Sequence, residues 1–153
     1  MKKAIHDLFI SNVPILAECG GFMYLCKNLV TLQGQSYPMV GAIDSTATMQ
    51  TRLSRFGYAS LIAKEDGLLA KKGQSIYCHE FHYSDSDNNG TNFTAQKHTG
   101  IQYDCIHTNK NLYAGYPHLH LWSNIAFAKN FINQCKESKY EVRTSHLNNT
   151  TNL

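Results

Sequence analysis

The chain has 153 residues, 42% of them apolar and 16% charged, with a formal net charge of +3. That length suits one domain able to bury about two-thirds of the surface its unfolded chain exposes. The composition excludes a disordered polyelectrolyte, and a charge this small, with no basic run longer than Lys2-Lys3 or Lys71-Lys72, excludes a nucleic-acid footprint.

Ile5, Leu8 and Phe9 recur at helical spacing and predict a helix over residues 2–10. NVPILAE, Asn12 to Glu18, is a short apolar run that fits a buried strand, with Pro14 near its start. Cys19-Gly20-Gly21 makes a sharp turn, and Phe22 to Leu29 returns to helical spacing through Phe22, Leu25, Cys26 and Leu29. From about residue 37 the texture changes to short aromatic and β-branched stretches separated by Gly, Asn or Asp. SYPMVGAI, RFGYASLIA, QSIYCHEFHYS, NFTAQKH, GIQYDCIH and NLYAGYPHLHLW predict strands with antiparallel pairing. Ser84 to Gly90 is expected to be a plain loop. Ser123 caps a closing helix through Cys135 whose face is Ile125, Ala128, Phe131, Ile132 and Cys135. The domain therefore spans residues 1–135, and the polar tail 136–153 is expected to be disordered.

No stretch approaches the ~20 apolar residues of a membrane helix. His6, Asp7, Ser11 and Asn12 interrupt the basic N-terminus, so it does not read as a signal peptide. Cys19, Cys26, Cys78, Cys105 and Cys135 are odd in number and irregularly spaced, without a CxxC pair, which points to free thiols in a reducing cytoplasm.

One thiol stands apart. A cysteine on a tight strand-to-helix turn projects from the end of a sheet, faces the N–H of the next residue, here Gly20, and sits at a helix N-terminus expected to lower its pKa. The competing reading is a small buried hydrophobe, the usual fate of a free cysteine, and that reading holds for Cys26, Cys78, Cys105 and Cys135. A cysteine nucleophile needs a base. The eight histidines include two clusters, Cys78-His79-Glu80-Phe81-His82-Tyr83 and Tyr116-Pro117-His118-Leu119-His120-Leu121. Strand alternation puts His118 and His120 on one face and separates His79 from His82. Taken singly, each histidine is equally a hydrogen-bonded strand residue.

PILAECGGFMYL, YPMVGAI, TRLSRFGYASL, HEFHYS and GYPHLHLW, in this order and spacing, resemble the C-terminal glutamine amidotransferase domain of the cobyrinic acid a,c-diamide synthases. Related families are the cobyric acid synthases and the nickel-sirohydrochlorin a,c-diamide synthases, and the HLH pattern favours the a,c-diamide type. The resemblance covers about residues 1–133. It implies a class I amidotransferase-like, flavodoxin-like α/β sheet flanked by helices, here truncated at its N-terminus and with an antiparallel strand-rich second half. It implies Cys19 as glutaminase nucleophile, His118 as base with His120 as the fallback, and Gly20 as oxyanion donor. The same resemblance makes His79, Glu80, His82 and Tyr83 a possible substrate or partner surface. The partners implied are glutamine, an ATP- and Mg²⁺-binding synthetase domain, and through it a tetrapyrrole whose a and c carboxylates are amidated. No cofactor is expected in this chain itself.

The chain departs from the family pattern in several places. It has no GxxxxGK[ST] loop. In the family a strand and a glycine-bearing loop precede the nucleophile strand, whereas here one short helix precedes NVPILAE, so an incomplete oxyanion hole is expected. A C-terminal piece of a longer protein, a degenerate product and a chain paired with a partner all fit. Many amidotransferases of this class place Glu two residues after the histidine; here that position is His120, which leaves a Cys–His dyad. Cys78 replaces a usual glycine, and Pro117 removes a backbone donor beside His118. Two rivals stand beside the enzyme: a scaffold that keeps only the fold, and a metal site built on His79, His82, His118 and His120. The second is weakened because HEFH lacks HExxH spacing.

Overall fold

In a computed structural model the described residues are 1–150, with side chains described through Ser138. In chain order the elements are α1 (Lys2–Ile10), β1 (Ile15–Glu18), α2 (Gly20–Leu25), β2 (Cys26–Val30), β3 (Ser36–Pro38), β4 (Ile43–Met49), β5 (Arg55–Ala63), β6 (Ser75–His82), β7 (Ser84–Ser86), β8 (Phe93–Gln96), β9 (Gln102–Cys105), β10 (His107–Thr108), β11 (Leu112–Gly115), β12 (His118–Leu119) and α3 (Ile125–Thr150). The result is a mixed α/β fold with three sheets and few helices among the described residues.

The first sheet has the order β1-β11-β10, and β1 runs parallel to β11 with Ile15 opposite Leu112 and Glu18 opposite Gly115. Three apolar residues of β1, Ile15 to Ala17, pair with β11, whose four residues are all buried, as parallel pairing favours. The second sheet, β12-β6-β5-β8-β9, is antiparallel throughout. The third, β3-β2-β4-β7, joins β2 to β4 in parallel.

Two apolar clusters hold these sheets. One fills the inner face of the antiparallel sheet with Ala59, Leu61, Ile76, Cys78, Phe93 and Ala95, closed by Leu69 and by Phe127 of α3. The other packs Phe22 and Leu25 of α2 against Ala17, Ile43, Ala47 and Ala114, with Ile5 and Phe9 of α1 at its edge. Burying the larger of these side chains, such as Leu61, Ile76, Phe93 and Phe22, contributes about 1.5–3 kcal/mol each. The opposite face of the antiparallel sheet is unusual: Phe56, Tyr58, Tyr77 and Phe81 stand exposed on adjacent strands.

Four expectations need correction. The helix predicted to Leu29 stops at Leu25, because Cys26–Val30 pairs with both β3 and β4. Of SYPMVGAI only Ser36–Pro38 and the last residue, Ile43, are strand, and Ile43 opens the longer strand Ile43–Met49. The predicted loop from Ser84 contains β7, which pairs with β4. The closing helix continues past Lys136 to Thr150; residues 151–153 of the tail lie outside the described residues. No helix among the described residues is long and apolar enough to cross a membrane.

Candidate active site

Parallel pairing brings the C-terminal ends of β1 and β11 to one edge of their sheet, the place where open α/β sheets put ligands. The chain leaves β1 through Cys19 and leaves β11 through Tyr116-Pro117 to His118. The Cys19 N–H donates to the Gly115 carbonyl at 2.8 Å, and the Cys19 carbonyl accepts from Met23 N–H at 3.0 Å, so the turn is tied to both the strand and the helix. Cys19 itself carries the strain, with φ 48° and ψ −106°. A positive φ on a residue with a β-carbon costs about 1–3 kcal/mol and marks an over-determined position. The following glycines do not carry it: neither has a left-handed φ, and a β-carbon on Gly20 would meet nothing within 4 Å. Gly20 thus has open space on its side-chain side.

The expected acidification of the thiol is not found. Burial raises the Cys19 pKa above its ordinary 9.0, and the carboxylates of Glu18 and Glu80 raise it further. The hydrogen bond from the Gly20 N–H only partly offsets them. Cys19 is half-buried, whereas Cys26 and Cys78 are buried and pushed up to about 11 and about 12, chiefly by burial. All five cysteines are free thiols.

His118 pairs across β12 and β6 with His79. Its Nδ1 lies 3.4 Å from Glu18 Oε2, and the next backbone group, Leu119 N–H, donates to Glu18 Oε1 at 3.0 Å. Cys19 and His118 are thereby linked through Glu18, the chain neighbour of Cys19. No hydrogen bond connects thiol and imidazole directly among the described residues. Glu18 is the residue that sequence reasoning missed; its signal was a single charge closing the apolar run ILAE. Pro117 is fully buried, and the local backbone is held by Glu18 instead of by its missing N–H. His120 is exposed; its N–H donates to the Tyr77 carbonyl at 2.9 Å as the chain enters the turn Leu121–Ser123.

The HEFHYS segment divides by strand alternation. His79 and Tyr83 face outward. Glu80 and His82 do not form a surface: they are 1% and 4% exposed. Their inward turn follows from Cys78, which belongs to the core. Glu80 accepts a hydrogen bond from Tyr103 Oη, and Arg55 lies 3.8 Å over the Tyr103 ring. Burial pushes the Glu80 carboxyl up, but the neighbouring His82, the hydrogen bond from Tyr103 and the charge of Arg55 outweigh it and hold it below 4.5. Among the described residues no three His, Cys, Asp or Glu side chains gather where they could hold a metal ion. A groove of about 960 Å³ runs along the outer face of the antiparallel sheet, lined by Tyr58, Tyr77, His79, Lys97, His118 and His120.

Residues 1–126 match the CobB/CobQ-like glutamine amidotransferase domain. The chain belongs to that family. This amidotransferase chain is 35% identical over 152 residues to a cobyrinate a,c-diamide synthase of Priestia megaterium, covering 94% of this chain and 32% of that protein. It is 42% identical over 132 residues to the one from Fusobacterium nucleatum, covering 83% and 28%. With the one from Caldanaerobacter subterraneus the identity is 34% over 138 residues, covering 88% and 30%. The amidotransferase chain therefore spans about a third of the length of the curated relatives it matches.

Proposed function

We propose that this chain is the glutaminase part of a cobyrinate a,c-diamide synthase-type enzyme, with Cys19 as nucleophile and His118 as its base. The observation that carries the reading is the positive φ of Cys19 on a strand-to-helix turn whose preceding residue, Glu18, contacts His118. The finer architecture that goes with it is a class I amidotransferase-like, flavodoxin-like core.

The steps follow from the groups. His118 takes the thiol proton, which overcomes the raised pKa of an isolated Cys19. The thiolate attacks the amide carbon of glutamine, and the C=O electrons move onto oxygen. Gly20 N–H donates to that oxyanion. As the tetrahedral species collapses, the C–N bond breaks and the His118 imidazolium protonates the leaving nitrogen, which departs as ammonia. Water, deprotonated by His118, then cleaves the thioester to glutamate and restores the thiol.

In this reading the ammonia serves a synthetase domain that binds ATP and Mg²⁺ and amidates tetrapyrrole carboxylates in cobalamin biosynthesis. That partner or its substrate approaches the outward residues His79 and Tyr83, while Glu80 and His82 act from inside. The test is glutamate release from glutamine by the chain with a synthetase domain supplied, beside Cys19→Ala and His118→Ala. Loss of turnover in both variants supports the reading. Wild-type turnover in Cys19→Ala, or none in the wild-type chain with its partner, overturns it in favour of a scaffold.

A further inference from the structure

The acid closest to the proposed base comes from the residue preceding the nucleophile. Glu18 ends β1, and its two carboxylate oxygens have separate tasks. Oε1 accepts the Leu119 N–H at 3.0 Å, which fixes the carboxylate against the backbone that carries His118. Oε2 then lies 3.4 Å from His118 Nδ1. Among the described residues no other carboxylate lies within ion-pair reach of this ring; Glu80 is turned inward to Tyr103 and His82. The basic and imidazole side chains that share the groove with His118 are His79, Lys97, His98 and His120, and no acidic residue lines it.

A neutral imidazole carries one proton, on Nδ1 or on Nε2, and the partner of one nitrogen decides the state of the other. A carboxylate can only accept. Facing Nδ1, it selects the Nδ1–H form and leaves the Nε2 lone pair free. We propose that Glu18 is the positioning residue of this site: it holds the His118 imidazole as Nδ1–H, with Nε2 free to take the Cys19 proton and return it to the leaving ammonia. The catalytic half of this statement rests on the glutaminase reading above; the hold on the ring does not. The pairing also ties the two halves of the site together, since the residue that orients the base is bonded covalently to the nucleophile.

Glu18→Gln separates this role from shape. The amide keeps the length of the side chain and an oxygen for Leu119 N–H, but presents an NH₂ to Nδ1. A donor at Nδ1 selects the Nε2–H form, whose remaining lone pair points away from the thiol. The first measurement is long-range proton–nitrogen NMR of the ring, with the His118 signals assigned by their loss in His118→Ala. The wild-type chain is expected to show neutral His118 as Nδ1–H, and Glu18→Gln to show it as Nε2–H. An unchanged tautomer overturns the proposal. The second measurement is glutamate release with the synthetase domain. Glu18→Gln is expected to lower kcat about 10²–10⁴-fold, as loss of a correctly poised base does, with KM within about twofold. Glu18→Asp, which keeps the carboxylate, restores part of the rate. Wild-type kcat in Glu18→Gln, while Cys19→Ala is inert, overturns the positioning role alone. Full activity in Cys19→Ala overturns the glutaminase reading and leaves the tautomer result to decide what Glu18 does to His118.

Discussion

The ring of His82 lies flat on that of Tyr116, with centroids 3.9 Å apart and planes 7° from parallel. His82 Nδ1 is hydrogen-bonded to the Ser84 carbonyl at 2.7 Å, and its Nε2 faces Glu80 Oε1 at 3.6 Å. Tyr116 in turn meets Phe22, on the helix that follows Cys19, edge-on at 5.1 Å. A buried chain of contacts thus runs from Glu80 to the nucleophile turn.

That chain makes the fold acid-sensitive. The Glu80 carboxyl is held below 4.5 in the folded protein, so its contribution to stability is fully present above that value and lost as pH falls through the folded pKa. Melting temperature followed from pH 7 downward should drop below about 4.5, the ordinary glutamate value. In Glu80→Gln this part of the acid limb should flatten, while the variant is less stable than wild type at pH 7. An acid limb unchanged by the substitution would place the titrating group elsewhere.

Thiol reactivity offers a second check. Because burial, Glu18 and Glu80 raise the Cys19 pKa above 9.0, iodoacetamide should label Cys19 more slowly than glutathione at pH 7.5, and labelling should accelerate as pH passes 9.0. Glu18→Gln removes one of the charges that raise it, so labelling at fixed pH should become faster even as the proposed hydrolysis slows. Peptide mapping should leave Cys26 and Cys78, buried and pushed up to about 11 and about 12, unlabelled in the native protein. Rapid labelling of Cys19 at pH 7.5 would contradict the raised pKa.

Gly20 separates space from stability. A β-carbon there meets nothing within 4 Å, so Gly20→Ala should change stability by less than about 1 kcal/mol, the helix-propensity difference between the two residues. In the glutaminase reading the added methyl stands beside the oxyanion donor, so glutamine turnover should fall at least tenfold. A variant that melts as wild type and turns over as wild type would show that substrate does not approach on this side.

Tyr113 is fully buried, and its hydroxyl has no hydrogen-bond partner among the described residues. An unpaired buried hydroxyl costs roughly 1–3 kcal/mol. Tyr113→Phe should therefore be as stable as wild type or more so by about 1 kcal/mol in denaturant unfolding. A loss of stability would reveal a partner for the hydroxyl.

The local signals in the sequence were good guides where the chain answers to itself. The helix at residues 2–10 and the Cys19 turn follow from spacing within a few residues, and strand alternation separated His79 from His82. What stayed hidden depends on partners far along the chain. Cys26 and Leu29 satisfy a helical face, but β4 recruits Cys26–Val30 into a sheet, and tertiary pairing overrides periodicity. Ser84–Ser86 has no strand propensity; it is held at the edge of a sheet, where Ser45 bonds to Ser86 and Asp87. Glu80 looks like a surface acid until Tyr103 and Arg55 arrive from other strands. Glu18 was passed over for the same reason, since the group it holds lies in a different part of the sequence.

The bond between Glu18 and Leu119 spans 101 residues. Closing a loop of that length costs about 4 kcal/mol of chain entropy before any contact repays it. During synthesis Cys19 leaves the ribosome well before His118, so the two meet only after the intervening strands have been made. The site is for that reason a late product of folding: a partly made or locally unfolded chain carries its cysteine without the histidine, and its reactivity waits on completion of the fold.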